Sequence, residues 1–364
     1  MPDLSQFNTD RTYPGRWTIT FSNPPINMFV PKTIVELGAL MTDLEADPSV
    51  KVVVFQSANL DFFIAHLDVS KAAEQPEVLR LWRDIVLRLA SSPVVSVARV
   101  RGRARGIGNE FVLACYMRFA SRQSALFGNP EIGVGLIPGG GALEWFPRMV
   151  GRSRALEIVL SADDFDADIA ERYGWVNRSL DDDKLDPFVD ALVRRLASFD
   201  RETLAAAKAQ INRFGTPTAT ELQSSNDIFF TTLALPSAQA RRAKLRGIGY
   251  GVPSDFELNF GRTSPRSGGR TTMTRIRDPT DRRTVRTAPS RLQPFNGRPF
   301  FRLNERPLVE GGLSKGAVPH SAMTGRRIGA VPLAQAAASR VLRCVAATSP
   351  RTPLAESLTT SSTF

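Results

Sequence analysis

The sequence predicts an α/β fold built on a largely parallel sheet, with helices gathered after it. Three observations carry this expectation: apolar strand-like runs alternate with helical spacing, a glycine-rich turn links a strand to a helix, and the strand signal fades after Gly151. Residues 17–21 and 51–56 are short β-branched or aromatic runs, and between them Ile34, Leu37, Met41 and Leu44 recur at helical spacing. Next, Leu79, Trp82, Ile85, Val86 and Leu89 form one apolar helix face, Pro93 stops that helix, and residues 94–100 read as a buried strand. Strand, helix, strand in succession requires crossover connections, hence parallel pairing. From 151 to about 235 helical patterns dominate, as in Phe188, Leu192 and Leu196, then Leu204, Ala207 and Ile211.

The chain has 364 residues, 42% of them hydrophobic, enough to bury a large core. Its net charge of +11 would suggest nucleic acid or a membrane surface if it were spread evenly. It is not. Residues 261–364 hold 18 of the 47 Lys and Arg but 5 of the 36 Asp and Glu, which leaves 29 basic against 31 acidic residues in 1–260. This basic segment is rich in Arg, Ser, Thr, Pro and Gly with few sustained apolar periods. Its composition predicts a mostly disordered tail. It also resembles a high-GC reading frame that has lost its register soon after Asn259. One exception is residues 331–345, where Leu333, Ala337, Val341 and Val345 recur every four residues and would suit an isolated helix. Removing residues 262–364 is expected to leave activity and assembly intact, which turnover and sedimentation of the truncated protein would check.

Arginines such as Arg282, Arg283 and Arg286 would suit phosphate contacts, yet no interleaved aromatics or nucleic-acid module accompany them, so nucleic acid is not the expected partner. Two cysteines, Cys115 inside an expected helix and Cys344 in the tail, argue against a disulfide framework or a cysteine-based metal site. Residues 1–15 lack a secretory pattern and no run of ~18 apolar residues offers a membrane span, so the expectation is a cytoplasmic protein.

Chemistry concentrates in two segments. Gly102-Arg103-Ala104-Arg105-Gly106-Ile107-Gly108-Asn109-Glu110 follows the strand ending at Val100 and leads into a helical pattern. Glycines let backbone N–H groups approach a ligand, and the helix terminus adds partial positive charge, so an oxyanion would be stabilised there with Glu110 beside it. A tight turn with Glu110 merely complementing the helix dipole fits the spacing as well. The second segment, Phe127-Gly128-Asn129-Pro130-Glu131-Ile132-Gly133-Val134-Gly135, is a shaped loop. There Glu131 is either a partly desolvated acid with a raised pKa or a solvated loop carboxylate. A Ser-His-Asp triad has no support, since His66 and His320 are the only histidines and no serine occupies a nucleophile elbow.

Over residues 17–261 these segments resemble the enoyl-CoA hydratase/isomerase (crotonase) superfamily. Phe63-Ile64-Ala65-His66-Leu67-Asp68 is similar to the family's F-x-A-G-x-D, residues 102–110 to its G-x-A-x-G-G-G-x-E, and Pro130, Glu131, Gly135, Pro138, Gly139 and Gly141 to its P-E-x-x-x-G-x-x-P-G-x-G. The resemblance implies a spiral of ββα repeats over 17–200 after an N-terminal lead of 1–16. A helical trimerisation region would cover 201–261, with the tail at 262–364, in a homotrimer or homohexamer. It further implies an acyl-CoA thioester substrate, an oxyanion hole from the N–H groups of Leu67 and Ile107, and substrate contacts by Ala65, His66, Asp68, Gly106 and Pro130. Glu110 would activate water for attack at Cβ of a trans-2-enoyl-CoA and Glu131 would deliver a proton to Cα, with neither metal nor separate cofactor.

Departures from the family pattern are Ile107 for the middle glycine, His66 for a glycine, Cys115-Tyr116 for Cys-Asp, and Leu143-Glu144-Trp145 for T-Q-R. These leave open a double-bond isomerase, another crotonase-type reaction, or a scaffold with a degenerate site.

Overall fold

The computed structural model describes residues 4–262. The tail expectations, including a helix at 331–345, and Cys344 lie outside the described residues. Within them, β1 (Phe7–Asp10) and β2 (Arg16–Phe21) pair antiparallel, and α1 (Pro31–Ala46) crosses over to β3 (Val52–Ser57). Then come β4 (Phe62–Ile64), α2 (Val69–Glu74), α3 (Pro76–Ser91), β5 (Val95–Val100), β6 (Arg103–Arg105) and α4 (Ile107–Ala114). The next turn comprises β7 (Met117–Ser121), β8 (Leu126–Gly128), a 3-10 helix Pro130–Val134, α5 (Ala142–Met149) and α6 (Arg152–Ser161). After β9 (Asp164–Asp166), α7 (Ala167–Tyr173) and β10 (Arg178–Leu180), the chain is helical: α8 (Asp182–Ala197), α9 (Arg201–Gly215), α10 (Ala219–Ala234), α11 (Pro236–Arg246) and α12 (Asp255–Leu258).

Three successive strand–strand–helix units start at β3, β5 and β7. Each contributes one strand to a six-stranded sheet, ordered β1-β2-β3-β5-β7-β10, and one to a four-stranded sheet, ordered β4-β6-β8-β9. Pairing within both sheets is parallel except at β1–β2 and β8–β9. The expected parallel sheet is thus present, together with a second sheet that periodicity does not reveal, because its strands are three residues long.

The two faces of β3 show the period-2 rule directly. Val53 and Phe55 join the main core, where Leu37, Leu40, Met41 and Leu44 of α1 meet Trp82, Ile85, Val86 and Leu89 of α3. Val52 and Val54 face the opposite way, against Leu185, Val189, Val193 and Leu196 of α8. Both faces of this sheet are covered, so its strands read as near-continuous apolar runs.

Three local expectations need correction. Residues 1–16 are not merely a lead, since β1 forms there; its Phe7-Asn8-Thr9-Asp10 buries only Phe7 and leaves no apolar alternation to read. The strand β6 intervenes in the glycine turn before α4, and residues 130–134 of the expected shaped loop wind into a 3-10 helix. Cys115 caps α4 instead of lying inside it. The helix expected from Leu204, Ala207 and Ile211 is present as α9, although it buries no residue and Ile211 is 72% exposed.

Candidate active site

Two turns, one from each of two consecutive units, supply free backbone donors. The first follows β4. Leu67 pairs with Phe29 in an isolated bridge: Phe29 N–H donates to His66 O (2.9 Å) and Asp68 N–H donates to Phe29 O (2.8 Å). That pattern leaves the Leu67 N–H without an acceptor among the described residues. The second follows β6, where Gly106 adopts φ 53°, ψ −123° and starts α4. Ile107 is the first residue of that helix, so its N–H has no intrahelical acceptor, and the aligned peptide dipoles add partial positive charge.

Glu110 sits in the first turn of α4 and is 3% exposed. Its Oε1 accepts from Gly140 N–H (2.8 Å) and Ala142 N–H (3.3 Å). Burial pushes its pKa up to about 7; the two N–H bonds pull down and the charge of Glu144 pushes up. Glu144 is itself buried and accepts from the Ser225 hydroxyl. A side chain at Gly140 would overlap both Glu110 Oε2 and Trp82 Nε1, so the missing Cβ is what lets carboxylate and indole close on the 139–141 backbone. The Trp82 indole N–H has no acceptor among the described residues.

Glu131 lies in the 3-10 helix after β8. The residue keeps partial exposure, but its Oε2 is enclosed and unpartnered. Burial, then repulsion from Glu110, pushes its pKa up to about 8. A Cβ on Gly106 would come within 2.7 Å of Glu131 Oε1. One carboxyl therefore flanks the Ile107 turn directly, and the other is one helical turn further along α4.

These groups meet in one cavity of about 50 Å³. A single water needs roughly 10–15 Å³ on the same kind of measure, so a few waters or a small acyl group fit. Of the residues singled out from sequence, His66, Leu67, Gly106, Ile107, Glu110, Pro130 and Glu131 line it. Ala65 and Asp68 do not. Ala65 packs with Ile26 and Phe62, and Asp68 is the N-cap of α2, accepting from Ser70 N–H (3.1 Å) and Lys71 N–H (3.2 Å).

Sequence reasoning missed part of the wall. Trp82 shows in the sequence only as part of an apolar helix face, and Phe229, Asn226 and Tyr250 come from α10 and the segment after α11, more than a hundred residues from the glycine turn. No local pattern marks them. Among the described residues no group of three or more His, Cys, Asp or Glu side chains converges as metal ligands, and no helix is long and apolar enough to cross a membrane.

Known proteins resemble this chain in sequence and fold. Residues 12–240 match the family model described as enoyl-CoA hydratase/isomerase. A crotonyl-CoA hydratase of Syntrophomonas wolfei is 29% identical over 201 residues, which is 53% of this chain and 77% of that protein. A short-chain-enoyl-CoA hydratase of Clostridium acetobutylicum is 29% identical over 203 residues, 54% of this chain and 77% of its own. A crystal structure from Streptomyces avermitilis, provisionally named an enoyl-CoA hydratase, superposes with a TM-score of 0.70 at 38% identity, covering 73% of this chain and 98% of the other. A match over more than half the chain, on a fold of two largely parallel sheets whose turns converge on one cavity, shows that the chain belongs to the enoyl-CoA hydratase/isomerase family of enzymes.

Proposed function

We propose that the protein is an enoyl-CoA hydratase, a hydro-lyase that adds water across the 2,3 double bond of a trans-2-enoyl-CoA. The observation that carries this reading is that the buried Glu110, the Glu131 carboxyl with its enclosed Oε2, and two unclaimed N–H groups belong to residues lining one largely apolar cavity. The thioester oxygen accepts from the N–H groups of Leu67 and Ile107, which lowers the energy of the enolate that forms on attack at Cβ. Ionised Glu110 takes a proton from water as the water oxygen bonds to Cβ. The π electrons move onto the enolate, and protonated Glu131 gives its proton to Cα. Product release leaves Glu110 protonated and Glu131 ionised, and one proton exchange with solvent restores the pair.

The raised pKa of both groups supports these roles, because a pair of enclosed carboxyls cannot both ionise easily near neutrality. The small apolar cavity favours a short acyl group. No cofactor beyond the substrate's CoA enters this scheme.

The apolar residues left open on α9 and α10, with Phe214 at 87% and Ile228 at 50% exposure, support assembly through the C-terminal helices as a trimer or hexamer. Soluble, cytoplasmic residence belongs to the same reading.

Incubating the protein with crotonyl-CoA should erase the enoyl thioester absorbance and yield 3-hydroxybutyryl-CoA. If a 3-enoyl-CoA is converted to its 2-enoyl isomer while crotonyl-CoA is left untouched, the enzyme is an isomerase and the hydratase reading fails.

A further inference from the structure

Behind the Leu67 turn lies a buried chain of charges that the two-glutamate scheme does not use. His66 Nδ1 is 2.9 Å from the Leu67 carbonyl, and Nε2 is 3.3 Å from Glu257 Oε1, an ion-pair contact lying off the ideal hydrogen-bond direction. The imidazole stacks on the Tyr250 ring, centroids 4.4 Å apart and planes 5° from parallel, with the Tyr250 hydroxyl 3.4 Å from Nδ1. Glu257 is fully buried on α12. It is held by Gly251 N–H (2.8 Å) and faces Arg105 Nη1 at 3.8 Å, and Arg105 grips Asp164 with two bonds of 2.9 and 2.6 Å. With His66 protonated, the four groups sum to zero charge. With His66 neutral, a net negative charge is left enclosed a residue away from the Leu67 N–H.

We propose that His66 is a positioning residue for hydration: held as an imidazolium by Glu257, it fixes the Leu67 turn and sets positive charge beside the forming enolate. The proposal rests on the reading of Leu67 as an oxyanion donor. Two features favour the charged ring. Only imidazolium donates from both nitrogens, and here one faces a carbonyl and the other a carboxylate. Burial alone would drive the proton off, but the charge of Glu257, with help from the Leu67 carbonyl, outweighs it and raises the pKa. The groups facing the ring are thus Glu257 from α12, Tyr250 from the segment before it, Arg105 from β6, and Glu131 across Gly106.

The chain has two histidines, so ring-labelled protein gives two imidazole signals, assigned with His320→Gln. His66 should titrate above the ordinary ~6.5, and in Glu257→Gln below it. At neutral pH His66→Gln should lower kcat about tenfold, less than the ~10²–10³ for losing an oxyanion donor itself, with KM for crotonyl-CoA little changed. In Glu257→Gln, activity should fall as pH rises and return on acidification in step with the His66 signal. A merely structural anchor would lower the melting temperature without that co-titration.

A neutral His66 at pH 7 in the wild type, which needs no variant to fold, overturns the proposal. So does His66→Gln with wild-type kcat. Wild-type protein that hydrates no enoyl-CoA refutes the hydratase reading first and the catalytic part of this proposal with it. Normal wild-type turnover with an indifferent His66→Gln refutes the proposal alone.

Discussion

Glu131→Gln is expected to lower kcat for crotonyl-CoA hydration by ~10³-fold while making the folded protein more stable at alkaline pH. The loss follows from the proposed mechanism, in which Glu131 gives a proton to Cα: the amide cannot, and a positioned acid contributes ~10²–10⁴-fold. KM should change little, because shape and volume are kept. The gain follows from burial. The Glu131 Oε2 is enclosed without a partner, and its carboxyl is pushed up to about 8.

A folded-state pKa above the unfolded one means that the protonated carboxyl is the form the native state favours. Its contribution is fully present below the unfolded value of ~4.3 and is lost as pH rises through about 8. Glutamine does not titrate, so the variant should melt like the wild type at pH 5 and a few degrees above it at pH 8.5. Glu110→Gln should be as inactive but less stabilised, because Glu110 already receives Gly140 and Ala142 N–H bonds that compensate its burial. Kinetics and calorimetry at the two pH values decide the matter. A Glu131→Gln enzyme within tenfold of wild-type kcat would remove Glu131 from the proton-donor role.

The carboxyl pair was legible because each residue sits in a glycine-marked segment whose spacing the backbone requires. Gly102, Gly106 and Gly135 all adopt positive φ, so the pattern of glycines was a record of real turns. The sheet of β2, β3 and β5 was legible because both its faces are buried and its strands are six residues each. The strands β4, β6, β8 and β9 are three residues each, too few for any period to register, although they carry the turns that hold Leu67 and Ile107. Glu257 was illegible for a different reason. It lies in a four-residue helix, and its partners His66 and Arg105 are more than 150 positions away, so only the fold brings the charges together. Asp68 shows the converse: its place in the family motif implies substrate contact, while its visible role in the structure is the N-cap of α2, outside the cavity lining.

Gly106→Ala should cost at least ~10²-fold in kcat/KM and several degrees in melting temperature, in a protein that still folds. The backbone at φ 53°, ψ −123° is one that L side chains rarely adopt, and holding a non-glycine there costs about 1–3 kcal/mol. Relaxation is obstructed, because Gly106 N–H donates to Gly128 O (3.0 Å) and Gly106 O accepts from Glu110 N–H (2.9 Å). The new methyl would stand 2.7 Å from Glu131 Oε1. In the proposed mechanism, either the turn rotates and swings the Ile107 N–H away from the thioester oxygen, or Glu131 yields and its proton leaves the line to Cα. A displacement of ~1 Å at such a site is enough for a hundredfold loss.

Gly38→Ala is the matched control. It lies inside α1 at ordinary φ, its Cβ would meet Ile85 Cδ1 at a normal 3.6 Å, and it should raise stability slightly with activity unchanged. A Gly106→Ala enzyme with wild-type kcat/KM would mean that neither the strained turn nor its contact with Glu131 sets the geometry of the reacting groups.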